Sequence, residues 1–143
     1  MYRALSHDGY MAGTRQANIS VTSLIGPPKI NQLKKRYSEQ IVEDAADRVW
    51  ALLGQSVHKV VELAGGETEM TEKRLYMEIN DWTITGQTDL YETENHTISD
   101  FKVTSVFSFL LGTKQEWEAQ INLNAMLWRE YGYEVKKGQI AAI

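Results

Sequence analysis

The hydrophobic pattern of this 143-residue chain calls for a single α/β domain, a central mixed sheet flanked by helices. Two observations carry that expectation. A long stretch with apolar residues at helical spacing stops at Gly65-Gly66, and three strand-like runs with short turns follow it. A second helical stretch and a closing apolar run come next. Short loops make the three runs an antiparallel meander, and the closing run adds one further strand.

Each element has its own signal. Residues 1–18 are polar and rich in small residues without periodicity, so they read as a flexible N-terminal arm, leaving 19–143 as the domain. Ile19 to Leu24 alternate weakly up to the breaker Gly26-Pro27-Pro28. Pro28 starts a short helix to Arg36, with Ile30 and Leu33 on one side. Ser38 is the expected N-cap of the long helix. Its core-facing positions are Ile41, Val42, Ala45, Ala46, Val49, Trp50, Leu53, Val57, Val60 and Val61. Gly54 inside that helix costs about 1 kcal/mol against Ala, which points to close packing or a nearby ligand. Strands are expected at 73–79, 82–90 and 97–103, turning at Asn80-Asp81 and Glu94-Asn95. The capping box Thr113-x-x-Glu116 opens the last helix, which runs to about Tyr131 before Gly132. Residues 139–143 form the closing strand.

Composition narrows the function classes. Fifteen Lys and Arg stand against nineteen Asp and Glu, a formal net charge of −4. The charge is uneven, +4 over residues 1–40, −9 over 41–100 and +1 over 101–143. A basic N-terminal section suits a polyanion, and an acidic middle suits a metal site. No apolar run is long enough to span a bilayer, and no secretory h-region is visible, so an intracellular, cytoplasmic protein is expected. The chain has no cysteine, which excludes disulfides, thiolate zinc sites and cysteine-held iron–sulfur clusters.

Four motifs carry chemistry. In Ser99-Asp100-Phe101-Lys102-Val103, alternation along a strand places Asp100 and Lys102 on one face and sends Phe101 to the core. Gly86-Gln-Thr-Asp89 brings a second carboxylate from the preceding strand. Two hard oxygen donors on adjacent strands suit Mg²⁺ or Mn²⁺. A lysine beside them can steer or deprotonate an attacking water and offset charge on a phosphorane-like transition state. On the long helix, Gly54, His58 and Glu62 share a face at i, i+4 and i+8, making His58 a candidate extra ligand. On the last helix, Gln120 and Asn124 lie on one stripe, where Gln120 can hold Lys102 or hydrogen-bond a nucleotide.

In this order the motifs resemble the PD-(D/E)XK nuclease superfamily, in its RecB-like or phage-exonuclease branch. The chain offers Gly54-x-x-x-His58, Gly86-x-x-Asp89, Asp100-x-Lys102 and Gln120-x-x-x-Asn124, over about residues 38–143. The resemblance implies a restriction-endonuclease-like core. It also implies a metal held by His58, Asp89, Asp100 and the Phe101 carbonyl, with Asp89, Asp100, Lys102 and Gln120 catalytic. Asn124, where the family pattern carries Tyr, takes the nucleotide-contacting position. Lys34, Lys35 and Arg36, with Lys136, Lys137 and Thr104, are the expected phosphate contacts. Tyr37 and Trp82 are the candidates for stacking on a base. The expected function is a Mg²⁺- or Mn²⁺-dependent deoxyribonuclease acting from DNA ends, of bacterial or phage origin, with a homo-oligomer compatible. The alternatives are a structure-specific endonuclease and a non-catalytic nucleic-acid-binding subunit of the same fold.

Overall fold

The structure of the chain, a computed structural model, describes residues 17–42, 45–110, 112 and 114–143. Its elements are β1 (Ile19–Ser20), α1 (Val21–Ile25), α2 (Pro28–Arg36), α3 (Ala45–Ala64), β2 (Glu69–Ile79), β3 (Trp82–Glu92), β4 (Thr97–Lys102), α4 (Val106–Leu110), α5 (Gln115–Glu130) and β5 (Lys137–Ala142). The expected architecture is present, an α/β fold whose mixed five-stranded sheet is flanked by helices. Strands β2, β3 and β4 form the antiparallel meander. Strand β5 adds to β4 in parallel, and the two residues of β1 add to β3 in parallel.

A two-residue turn sets the main register. Asn80 and Asp81 both adopt left-handed backbone (φ 47° and 65°), the conformation that suits the right-handed twist of a tight hairpin. Every β2–β3 pair follows from it, from Ile79 opposite Trp82 to Glu69 opposite Glu92. The other edge of β3 is shared. Strand β1 covers Ile84 and Thr85, and β4 covers residues 90–92, which leaves residues 86–89 facing a split between them.

One helix seals the core. On α5, Leu127 and Trp128 are fully buried, and the Trp128 indole N–H donates to Thr88 Oγ1 at 2.9 Å. Tyr91 stacks on Trp128 with centroids 4.4 Å apart, and Tyr133 packs edge-on against both rings. The helix comes this close because position 86 is glycine. A Cβ there would lie 2.5 Å from Leu127 Cδ1 and closer still to Asn124 Oδ1.

Alternation along the sheet reverses once. Leu75, Met77 and Met70 all reach the same apolar cluster, although Met70 is an odd number of residues from the other two. Ile84 and Tyr91 show the same shift on β3. Between them stands Glu72 at φ 51°, skipped by the ladder between the pairs Thr71–Leu90 and Lys73–Thr88 and so level with Asp89.

Several boundaries differ from the sequence expectation. Most of the 1–18 arm lies outside the described residues. Asn18, however, is docked, donating its N–H to the Thr83 carbonyl and accepting from the Thr83 N–H. Ile19 to Leu24 is two residues of strand and then α1, because the Ser20 side chain caps the helix at Ser23 N–H. Helix α3 begins at Ala45, well after Ser38, which sits in a turn that closes α2. Thr113 lies outside the described residues, and α5 starts at Gln115 with no side-chain cap from Lys114. Helix α4 was not foreseen. Phe101 is only half-buried, whereas Asp100 is 3% exposed, so the carboxylate is deeper than the ring. Much of the α3 apolar pattern is outward: Val49, Trp50, Leu53 and Val60 are exposed. Among the described residues, no helix is long and apolar enough to cross a membrane.

The Gly86 contact has a measurable cost. Gly86→Ala forces α5 off the sheet and is expected to destabilise the fold by about 1–3 kcal/mol, the range of overpacked cores. Urea denaturation followed by Trp128 fluorescence reads that change.

Candidate functional site

The split beside residues 86–89 opens into a cavity of about 890 Å³ between α3, the sheet and α5. Seven elements line it, β1 and α1 through Ser20, Val21 and Thr22, and the other five with the site groups: α3 with His58, β2 with Glu72, β3 with Asp89, β4 with Asp100 and Lys102, and α5 with Gln120. The sequence places these residues up to 62 positions apart, His58 to Gln120, and the sheet topology brings them together.

Asp89 is the hub. Its Oδ2 accepts the backbone N–H of Phe101 at 2.6 Å, and its Oδ1 lies 3.2 Å from His58 Nδ1. Glu72 Oε1 reaches the same His58 nitrogen at 3.5 Å. His58, Glu72 and Asp89 thus present one donor atom each, all within 4.8 Å of one another. Two carboxylates and an imidazole are a donor set that suits a divalent cation. Between two carboxylates the His58 proton is held tightly. Hydrogen bonding to Asp89, then to Glu72, raises its pKa from 6.5 to about 10 against the cost of burial.

Glu72 was missed in the sequence reading, and so were the side chains that set it. Gln87 Nε2 donates to Glu72 Oε2, and Arg74 Nη2 donates to Gln87 Oε1 at 2.5 Å. These three lie on paired strands, Arg74 directly opposite Gln87 and Glu72 level with Asp89. A relay of this kind aims the third carboxylate at His58.

A second group stands beside the first. Lys102 Nζ donates to Gln120 Oε1 at 3.0 Å and lies 2.8 Å from Asp100 Oδ2. Gln120 Nε2 donates back to Asp100 Oδ1 at 3.1 Å, closing a triangle. The Lys102 approach is out of line for a hydrogen bond, so the buried Asp100 Oδ2 accepts none. Burial pushes the Asp100 carboxyl above the usual carboxylate range, Lys102 pulls it back, and nearby Asp89 adds to the rise.

The remaining candidates are placed differently. Phe101 contributes its N–H to Asp89 and is not part of the cavity lining. Asn124 lines the inner end of the cavity at 1% exposure, its Nδ2 donating to the Gln87 carbonyl at 3.3 Å while its Oδ1 has no hydrogen-bond partner. Lys34, Lys35 and Arg36 are exposed at the end of α2 and do not line the cavity. Thr104 lies beyond the end of β4, its N–H bonded to the Ile143 carbonyl, and is also outside the lining. Lys137 pairs with Thr97, five residues or about 17 Å along β4 from Lys102. Lys136 pairs with Glu134. Neither lysine flanks the acidic centre. Trp82 lies about 23 Å along β3 from Asp89, too far to stack on a base held there. Glu62 lines the cavity but is paired with Lys59 at 2.8 Å. A Cβ at Gly54 would meet nothing within 4 Å, so this glycine leaves space in the cavity wall and is not a packing contact.

Two outcomes follow from the geometry. In chelator, the folded protein keeps the His58 proton up to about 10, whereas an ordinary imidazole loses it near 6.5. The folded value is the higher one, so this stabilisation is complete below about 6.5 and is lost as pH rises through about 10. The thermal midpoint of the metal-free protein should fall over that window, and His58→Gln should flatten the fall. Glu72→Gln should weaken Mn²⁺ binding, read by titration calorimetry, and Gln87→Ala should do so by about 10–100-fold through the lost aim of Glu72. Mn²⁺ binding through His58 displaces its proton, so affinity should rise with pH.

Comparison with known proteins bears on the fold. No family model and no curated protein matches the chain. It is similar to the crystal structure of SSO0001, with a TM-score of 0.73 and 21% identity over 99% of this chain and 69% of that one.

Proposed function

We propose that this chain is a metal-dependent nuclease of the PD-(D/E)XK type that hydrolyses DNA phosphodiester bonds, working from ends. The observation that carries the reading is the convergence of His58, Asp89, Asp100, Lys102 and Gln120 on one cavity. Those are the chemically distinctive residues of all four motifs.

The residues divide the work. His58, Glu72 and Asp89 would hold Mg²⁺ or Mn²⁺, with Asp100 and its unbonded Oδ2 next to them. When bound, the ion supplies Lewis-acid polarisation of a phosphoryl oxygen. Lys102, fixed by Gln120 and Asp100, would offset the negative charge that builds on the phosphoryl oxygens. Because Gln120 bonds both partners, neither the ammonium nor the carboxylate has to reorganise as that charge develops. Burial of Asp100 strengthens these interactions by keeping water out. Phosphate and sugar are the groups such a cavity recognises, which favours backbone and ends over base sequence.

Cleavage of end-labelled linear DNA beside closed circles, with Mg²⁺, Mn²⁺ or EDTA, tests the proposal. Metal-dependent loss of linear DNA with circles spared is expected. Asp100→Ala and Lys102→Ala should each lower the rate at least about 100-fold while the circular dichroism spectrum stays native. Wild-type rates in either variant, or no cutting in any metal, would overturn the assignment, and nicked circles would replace end-directed with internal cleavage.

A further inference from the structure

Helix α3 has two faces with different fates. One lines the cavity through Gly54 and His58. The other is apolar and open: Leu63 is 75% exposed, Trp50 68%, Val60 66%, Val49 49% and Leu53 45%. Val49, Leu53, Ser56, Val60 and Leu63 recur at spacings of four, three, four and three, the seam of a helix that packs lengthwise against another helix. None of these residues lines the cavity.

We propose that this seam is a homodimer interface, in which two copies pair α3 antiparallel across a two-fold axis at Ser56. The seam is self-complementary about that point. Reversal sets Val49 level with Leu63 of the second copy and Leu53 within one residue of Val60, so the apolar residues of the two copies meet along the seam. A two-fold interface requires this reciprocity, residue i against j and j against i.

The polar groups also suit burial. Ser56 is small enough for the axis, and its hydroxyl already donates to the Leu52 carbonyl at 2.8 Å, so no unmet donor is buried there. Lys59 beside the seam is neutralised by Glu62 on its own helix, which limits like-charge repulsion between copies. The five exposed residues amount to roughly 600 Å², at the top of what a monomer ordinarily leaves open. Two copies together remove at most roughly 1,200 Å², with Trp50 beside the seam covered as well, which reaches the lower end of specific interfaces. A reversible dimer in the micromolar range is the expected strength. The seam residues themselves do not line the cavity, whereas Lys59 beside them does.

The absence of cysteine makes the axis directly readable. Helices packed 8–10 Å apart, each with Cα atoms 2.3 Å from its axis, bring the two residues at position 56 to about 3.5–5.5 Å between Cα atoms. That is within disulfide reach. Under diamide, Ser56→Cys should form a cross-linked dimer about 10-fold or more faster than Glu116→Cys, an exposed position on α5. Sedimentation equilibrium of the wild-type chain should show a monomer–dimer equilibrium. Leu53→Glu should shift it to monomer without changing the circular dichroism spectrum. A wild-type monomer at every concentration, a dimer that survives Leu53→Glu, or equal cross-linking at positions 56 and 116 would each overturn the proposal.

Discussion

The Asp89 carboxylate ties β3, β4 and α3 together at one point, where the β3–β4 ladder has already parted. Strand β4 leaves the β3 ladder after residue 90, and the N–H of Phe101 would go unpaired there without Asp89 Oδ2. An unmet buried donor costs about 1–3 kcal/mol, so this bond closes the gap in the sheet as well as orienting the carboxylate. The other oxygen faces His58 and so fixes α3 over the same point. The backbone bond therefore decides where the remaining lone pairs of Asp89 are aimed. Sheet integrity and site geometry rest on one side chain.

Beside this hub, the Asp100–Lys102–Gln120 triangle is a different kind of construction. Asp89 is fixed by a backbone N–H, whereas these three are held to one another through side chains from β4 and α5. A buried charge pair is a weak source of stability, since desolvation offsets much of its attraction. Its value is positional. The cost is tolerable because α5 is already anchored by Trp128 and by the close approach at Gly86, which place Gln120 without help from the charges.

What could be read from residues alone follows the same division between local and long-range physics. The hairpin turn was legible because Asn80-Asp81 is a local signal, and it contained more than was taken from it. A two-residue turn at 80–81 already places residue 72 opposite 89 and 74 opposite 87, so Glu72, Arg74 and Gln87 were within reach of register counting. The start of α3 was not legible. Ser38 has the chemistry of a cap, but the preceding helix ends in a turn that takes up residues 37–40. The outward direction of Val49 and Leu53 was hidden for another reason: helical periodicity gives the existence of an apolar face but not its partner. Remote basic residues such as Lys137 were misplaced because parallel pairing of β5 with β4, which no turn dictates, puts them at the far end of the strand.

The left-handed residue at Glu72 divides the sheet into two panels. On one side lie the Gly86 contact and Leu75 with Met77; on the other lie Tyr91, its aromatic neighbours and Met70. Both panels pack against one apolar cluster, and Glu72 and Asp89 lie where the alternation changes between them. The spacing of these two carboxylates therefore depends on how the strand segments on either side of that reversal pack against the shared cluster, so a core volume change well away from the cavity reaches the donor set through the backbone.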